Sequence, residues 1–183
     1  MSDWPQKRVL VTGGAGFMGS ALVWELNRRG CANIAIADFA PREERERYLR
    51  HLRFTEYLDP DAALEQLTAG SLGAFDFVFH IGACSSTTET DVAYLTRTNY
   101  EYSRDLAGWA LSAGARFIYA SSAATYGDGS AGMSDADPSS MERLRPLNAY
   151  GWSKHRMDLH AWRQGWLDRI VGLKYFNVFG PNE

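Results

Sequence analysis

Apolar runs alternate with amphipathic stretches along the whole chain. Residues 8–11, 34–37, 75–81, 116–120 and 170–175 are short runs of apolar residues, and a weaker run lies at 53–56. Between them a helical repeat of apolar positions fits residues 17–29, 60–69, 91–113 and 150–166. Each repeat closes on glycine or a turn-like sequence such as Arg29-Gly30 or Ala113-Gly114. Strands that are apolar nearly throughout, separated by amphipathic helices, predict a parallel sheet covered on both faces. Six of them joined by crossovers make an α/β, doubly wound sheet of the Rossmann type. Two stretches break the alternation. One is the charge-rich segment 41–53; the other, 127–146, is rich in Gly, Ser, Asp and Pro and reads as a long surface loop. There is no internal repeat, low-complexity block or interdomain linker.

Length and composition narrow the class. The 183 residues suffice for one complete domain. At 45% hydrophobic and 22% charged, the chain matches a packed, enzyme-like protein rather than a disordered one. A formal charge of -3 supplies no positive field for nucleic acid or anionic lipid. No apolar run precedes Val9, and none reaches the ~18 residues that would span a bilayer, so no membrane partner and a cytoplasmic location are expected. Cys31 and Cys84 stand apart with no metal-ligand spacing; reduced, buried thiols are expected and no metal.

The first chemistry lies at the amino end. Val9-Leu10-Val11-Thr12 runs into Gly13-Gly14-Ala15-Gly16-Phe17-Met18-Gly19 and then into a helical segment. Gly13, Gly16 and Gly19 permit a tight turn, approach of backbone N–H groups to a pyrophosphate, and close packing of the helix on the sheet. Asp38 follows at the end of the second strand, where a carboxylate accepts hydrogen bonds from an adenosine ribose. An acid there favours NAD. Arg42, Arg45, Arg47 and Arg50 follow closely and are suited either to a 2′-phosphate or to ion pairs on a solvated helix, so the chemistry alone leaves NAD and NADP open.

The second chemistry lies in Asn148-Ala149-Tyr150-Gly151-Trp152-Ser153-Lys154, which puts Tyr150 and Lys154 on one face of a helix. Hydride transfer needs a proton acceptor beside the carbinol. A phenol of reference pKa ~10 must fall by about 3 units to serve near neutrality, and a neighbouring ammonium supplies that bias by stabilising the phenolate. Tyr150 is therefore read as the acid/base, Lys154 as its modulator and a ribose ligand, and Ser122, beyond the 116–120 strand, as hydrogen-bond partner of the reacting oxygen. His80 and Cys84, around another strand end, read as structural. Trp152, Trp162 and Trp166 read as core or interface packing.

Assembled, these residues resemble the extended short-chain dehydrogenase/reductase family and, within it, the epimerases of ADP-heptose. The likeness is carried by Val11-Thr12-Gly13-Gly14-Ala15-Gly16-Phe17-Met18-Gly19-Ser20, Tyr119-Ala120-Ser121-Ser122-Ala123-Ala124-Thr125-Tyr126-Gly127, Pro146-Leu147-Asn148-Ala149-Tyr150-Gly151 and Tyr175-Phe176-Asn177-Val178-Phe179-Gly180-Pro181. The block Gly82-Ala83-Cys84-Ser85-Ser86-Thr87-Thr88-Glu89 marks the heptose enzymes. The resemblance implies a redox-neutral epimerisation in lipopolysaccharide-core precursor synthesis: the C6 hydroxyl of an ADP-heptose is oxidised and the ketone re-reduced from its other face, with tightly held NADP. It assigns Phe17, Met18, Asp38, Phe39, Ile81, Gly82, Ala83, Cys84, Ser85, Lys154 and Val178 to cofactor, Ser122 and Tyr150 to catalysis, and Ser122 and Asn177 to substrate. A 2′-phosphate cation falls on Arg45, and a second falls near Pro60, which carries no charge.

The resemblance also implies a nucleotide-binding domain over 1–176, the start of a substrate-binding region at 177–183, and a homo-oligomer, a pentamer in the family. The family's second catalytic lysine and substrate domain lie beyond residue 183, so the chain as given is expected to bind cofactor with little turnover. Two other readings stay open: a UDP-sugar 4-epimerase and a non-catalytic dinucleotide-binding module. A dehydratase is disfavoured because Ala123-Ala124, not an acidic pair, follows Ser122.

Overall fold

β1 (Val9–Thr12) and β2 (Ile34–Ala37) are buried at every position in the computed structural model, which describes residues 3–180. Such strands have no face for water and must lie inside a sheet covered on both sides. β1 pairs in parallel with β2, Val9 opposite Ile34 through Thr12 opposite Ala37. On its other edge it pairs with β4 (Phe77–His80), Val9 opposite Phe77 through Thr12 opposite His80. With β3 (Glu56–Leu58), β5 (Arg116–Ser122) and β6 (Ile170–Tyr175) the sheet has six strands in the order β3-β2-β1-β4-β5-β6. This is the doubly wound order, and it bears out the expected fold class.

The first and last α-helices each end on a left-handed glycine, the first where its sequence predicts and the last at Arg163 rather than at the expected 166. At the end of α1 (Phe17–Arg28), Gly30 takes a φ of 88°, its N–H reaches Asn27 O, and Cys31 N–H reaches Leu26 O. α6 (Ala149–Arg163) closes identically through Gly165, with Trp166 N–H on Ala161 O. The left-handed residue and paired bonds satisfy the last carbonyls, and only glycine adopts that conformation without strain.

Other boundaries differ from the sequence reading. The third strand lies at Glu56–Leu58, not 53–56, because the Asn27 side chain captures both Arg53 N–H (2.6 Å) and Arg53 O (2.9 Å) and holds that residue outside the ladder. The charge-rich segment contains α2 (Arg42–Leu49), which buries Leu49 in the core around Val9, Val11, Ile34 and Ile36. The helix expected over 91–113 is interrupted: α4 (Val92–Leu95) widens into a π-helical turn, Thr96–Glu101, before α5 (Tyr102–Ala113). β5 runs on to Ser122, so Ser121 and Ser122 belong to the strand. The segment 127–146 is irregular apart from a 3₁₀ turn, Pro138–Arg143, and Met141 and Leu144 anchor it on Tyr126, Leu159, Trp162 and Leu167.

The described residues divide into two compact units: 3–82, 108–118 and 179–180 in the first, and 83–107 and 119–178 in the second. Of the segment 177–183, the last three residues lie outside the described ones. Among the described residues, no helix is long and apolar enough to cross a membrane, and no group of three or more His, Cys, Asp or Glu is placed to hold a metal. Cys31 is buried and Cys84 half-buried, both as free thiols.

Candidate active site

In the first unit the glycine turn links β1 to α1. Gly13 has a φ of 67°, and a Cβ there would stand 2.5 Å from Gly82 N; a Cβ on Gly19 would overlap the Gly13 carbonyl oxygen. Both glycines are therefore required by contact. α1 begins after Gly16, which offers no side-chain acceptor, so the first N–H groups of the helix have no side-chain cap. The Thr12 hydroxyl accepts Gly82 N–H (3.2 Å) and pairs with His80 Nδ1 (2.6 Å), which explains the buried His80 as a structural residue.

Asp38 does more here than the sequence reading gave it. Its carboxylate accepts Ala15 N–H at 2.8 Å and Ala40 N–H at 3.1 Å, clipping the glycine turn to the segment after β2. Phe39 is exposed, while Phe17, Met18 and Ile81 are half-buried. The Arg45 guanidinium stacks on the Tyr57 ring at 4.7 Å. Pro60 is the buried first residue of α3 (Pro60–Thr68), under the Asp59 cap, and carries no charge. Asp38→Ala is expected to cost about 1–3 kcal/mol, because two backbone N–H groups lose their acceptor. Thermal unfolding beside the wild type measures it; an unchanged midpoint would contradict the clip.

In the second unit α6 starts at an Asn148 cap whose side chain accepts Gly151 N–H (2.7 Å). Gly151, Lys154, Asp158 and Ala161 follow the helical repeat and are all buried. Tyr150, one turn before Lys154, is half-buried. The Lys154 ammonium donates to Ala120 O at 2.8 Å, and burial pushes its pKa down from 10.5 to about 8, against the opposing pull of Asp158. Ser122 closes β5, buried, its hydroxyl accepting Ala124 N–H (3.1 Å). Ala83 is half-buried, and Ser85, Asn177 and Val178 are exposed. Trp162 packs under the 127–146 segment and Trp166 edges onto His160, as packing residues do, whereas Trp152 is 42% exposed.

Asn99 was not singled out in the sequence, yet it organises this wall. Its side chain sits in the π-helical turn, fully buried, accepts Cys84 N–H (2.8 Å), and donates to Cys84 O (2.9 Å) and the Ser153 hydroxyl (3.0 Å). It thereby fixes the Cys84 backbone against α6. Its local signal is weak, an Asn four residues after the buried Leu95 on a stripe that also carries the buried Ser103.

His155 follows Lys154 and is buried, with Nδ1 lacking a hydrogen-bond partner among the described residues. Burial, helped by Lys174, Arg145 and Arg163, lowers its pKa from 6.5 to about 4. Between those values the unfolded chain takes up a proton that the folded chain refuses, so this residue makes stability fall as pH drops from 6.5 to 4, by roughly 3 kcal/mol at the lower end. His155→Gln should remove that component. Denaturant titrations of both proteins at pH 7 and 5 test it; equal losses would contradict the assignment.

Residues 9–183 match the profile of the "NAD dependent epimerase/dehydratase family". Among similar proteins, the ADP-L-glycero-D-manno-heptose-6-epimerase of Nitratidesulfovibrio vulgaris (strain DP4) is 50% identical over 175 residues, covering 95% of this chain and 54% of that protein. The crystal structure of Helicobacter pylori ADP-L-glycero-D-manno-heptose-6-epimerase superposes with a TM-score of 0.78 at 30% identity, over 100% of this chain and 59% of that one. MoeE5, solved with UDP-glucuronic acid and NAD, superposes with a TM-score of 0.76 at 28% identity, over 96% of this chain and 56% of that one. The chain spans about half the length of these relatives. From its glycine turn to the residues beyond β6, it belongs to the NAD dependent epimerase/dehydratase family.

Proposed function

We propose that this chain is the cofactor-binding domain of a cytoplasmic epimerase that inverts C6 of ADP-D-glycero-D-manno-heptose using NADP, in lipopolysaccharide-core precursor synthesis. Residues 1–176 form the nucleotide-binding domain in this reading, and 177–183 enter the substrate-binding region. The observation that carries it is the buried Lys154 ammonium one turn from Tyr150 on α6, bonded to the strand that ends in Ser122. Kinship at 50% identity with a heptose epimerase supports the choice of substrate.

A dinucleotide fits the residues present. The turn at Gly13 and Gly19 has no room for side chains, and the uncapped start of α1 offers N–H groups to a pyrophosphate. When bound, the nicotinamide supplies a hydride acceptor and returns the hydride, so the reaction needs no external oxidant. The chain's residues manage the proton. Tyr150 takes the hydroxyl proton as the C–H bond at C6 breaks; returning a proton when the bond re-forms on the other face falls to a second acid. Lys154 stabilises the phenolate and holds a ribose; Ser122 donates to the reacting oxygen. Asp38 would hold the adenosine ribose and Arg45 the 2′-phosphate; NAD, with no such phosphate, is the alternative cofactor.

The complete open reading frame containing these residues, incubated with ADP-D-glycero-D-manno-heptose and separately with UDP-galactose, tests the proposal. Interconversion of the C6 epimers, read by NMR, with UDP-galactose untouched is expected. Turnover of UDP-galactose alone would overturn it in favour of a 4-epimerase.

A further inference from the structure

Three consecutive residues of β5 grip α6. Tyr119 and Ser121, on the same side of the strand, each donate a hydroxyl hydrogen bond to Asp158, to Oδ1 and Oδ2, both at 2.7 Å; between them Ala120 O takes the Lys154 ammonium at 2.8 Å. Lys154 and Asp158 are one turn apart on one helix face, and all four side chains of this clamp are buried. Gly172 on β6 leaves the room that the Tyr119 phenol occupies, since a Cβ there would stand 2.6 Å from its oxygen.

A carboxylate that receives one hydroxyl hydrogen bond on each oxygen is favoured in its ionised form, because both donors stabilise the negative charge against the cost of burial. A buried ammonium needs a nearby negative charge to stay protonated. Resting on the proposed role of Lys154, we propose that Asp158 is a positioning residue of the redox pair: clamped by Tyr119 and Ser121, it is the buried counter-charge that keeps Lys154 an ammonium on the turn of α6 that follows Tyr150.

Other groups bear on the clamp. Lys174 on β6 and Lys154 favour the ionised Asp158, the Cys84 thiol acts on Lys154, and Asp135 acts on Tyr119. Burial drives Asp158 up and Lys154 down, and Asp158 is the chief charge holding Lys154 up. A purely mechanical tie between helix and strand would be indifferent to pH; a counter-charge is not.

Asp158→Asn keeps the shape and removes the charge. NADP affinity of the 183-residue chain is measured from pH 6 to 9, with 2′,5′-ADP, which lacks the nicotinamide ribose, as control. The wild type should lose affinity as Lys154 deprotonates, and the variant should do so about one unit lower. Near pH 8 the variant then binds NADP several-fold more weakly, while at pH 6 the two agree and 2′,5′-ADP binds both alike. A loss equal at every pH, or an unmoved profile, overturns the proposal. If the variant does not fold, or the wild type binds no NADP, a carbon NMR titration of Asp158 in the wild type decides separately. An ionised carboxylate from pH 6 to 9 whose shift reports a Lys154 titration supports the counter-charge; a protonated carboxyl at pH 7, or no such response, overturns it.

Discussion

Gly19→Val is expected to abolish NADP binding, weakening it more than 100-fold, and to lower the unfolding temperature. The added Cβ would overlap the Gly13 carbonyl oxygen and press on Gly14 Cα, both of them backbone atoms, so the turn itself must move. Overpacking of this kind costs roughly 1–3 kcal/mol or more, and displacing the turn removes the N–H groups that would face a pyrophosphate. Gly114→Ala gives the scale. Gly114 has a φ of 75° after α5, and an added Cβ there meets nothing within 4 Å, so it carries only left-handed strain of about 1 kcal/mol and should leave nucleotide affinity intact. Thermal unfolding and NADP titration of both variants check this. Wild-type affinity in Gly19→Val would remove the turn from the binding site.

The second large effect concerns Tyr150. In the complete open reading frame, Tyr150→Phe should lower kcat on ADP-heptose by about 10²–10⁴-fold, the usual worth of a positioned acid/base. The phenol is half-buried on the first turn of α6, and loss of one hydroxyl leaves the helix cap at Asn148 and the Lys154 bond to Ala120 O in place. NADP affinity should therefore stay within about threefold of the wild type. A kcat unchanged in Tyr150→Phe would move the proton transfer to another group. Equal losses of affinity and kcat would mean that the phenol serves binding, not proton transfer.

The sheet was legible because its central strands carry apolar residues at consecutive positions, and the glycine turn because its residues lie together in the chain. Helix ends were legible in Arg29-Gly30 and Ala113-Gly114. For α2 the sequence left a solvated helix as one of two readings: its Arg/Glu run has no apolar period, and only packing of Leu49 reveals which face is inward. The displaced β3 depends on Asn27 holding Arg53, a tertiary contact with no local signature. The π-helical turn is invisible for the same reason, since Asn99 is paid for by partners at Cys84 and Ser153 that are distant in sequence. In the candidate site, Tyr150 and Lys154 announced themselves by spacing. Asp158 did not, because an acid four residues after a lysine looks like a surface ion pair until Tyr119 and Ser121 are seen to bury it.

The central claim is that this chain binds a nicotinamide dinucleotide, and calorimetric titration of the 183-residue chain with NADP and with NAD tests it most directly. Saturable binding of NADP, a raised unfolding temperature in its presence and weaker binding of NAD are predicted. Flat titrations with both nucleotides would contradict the account.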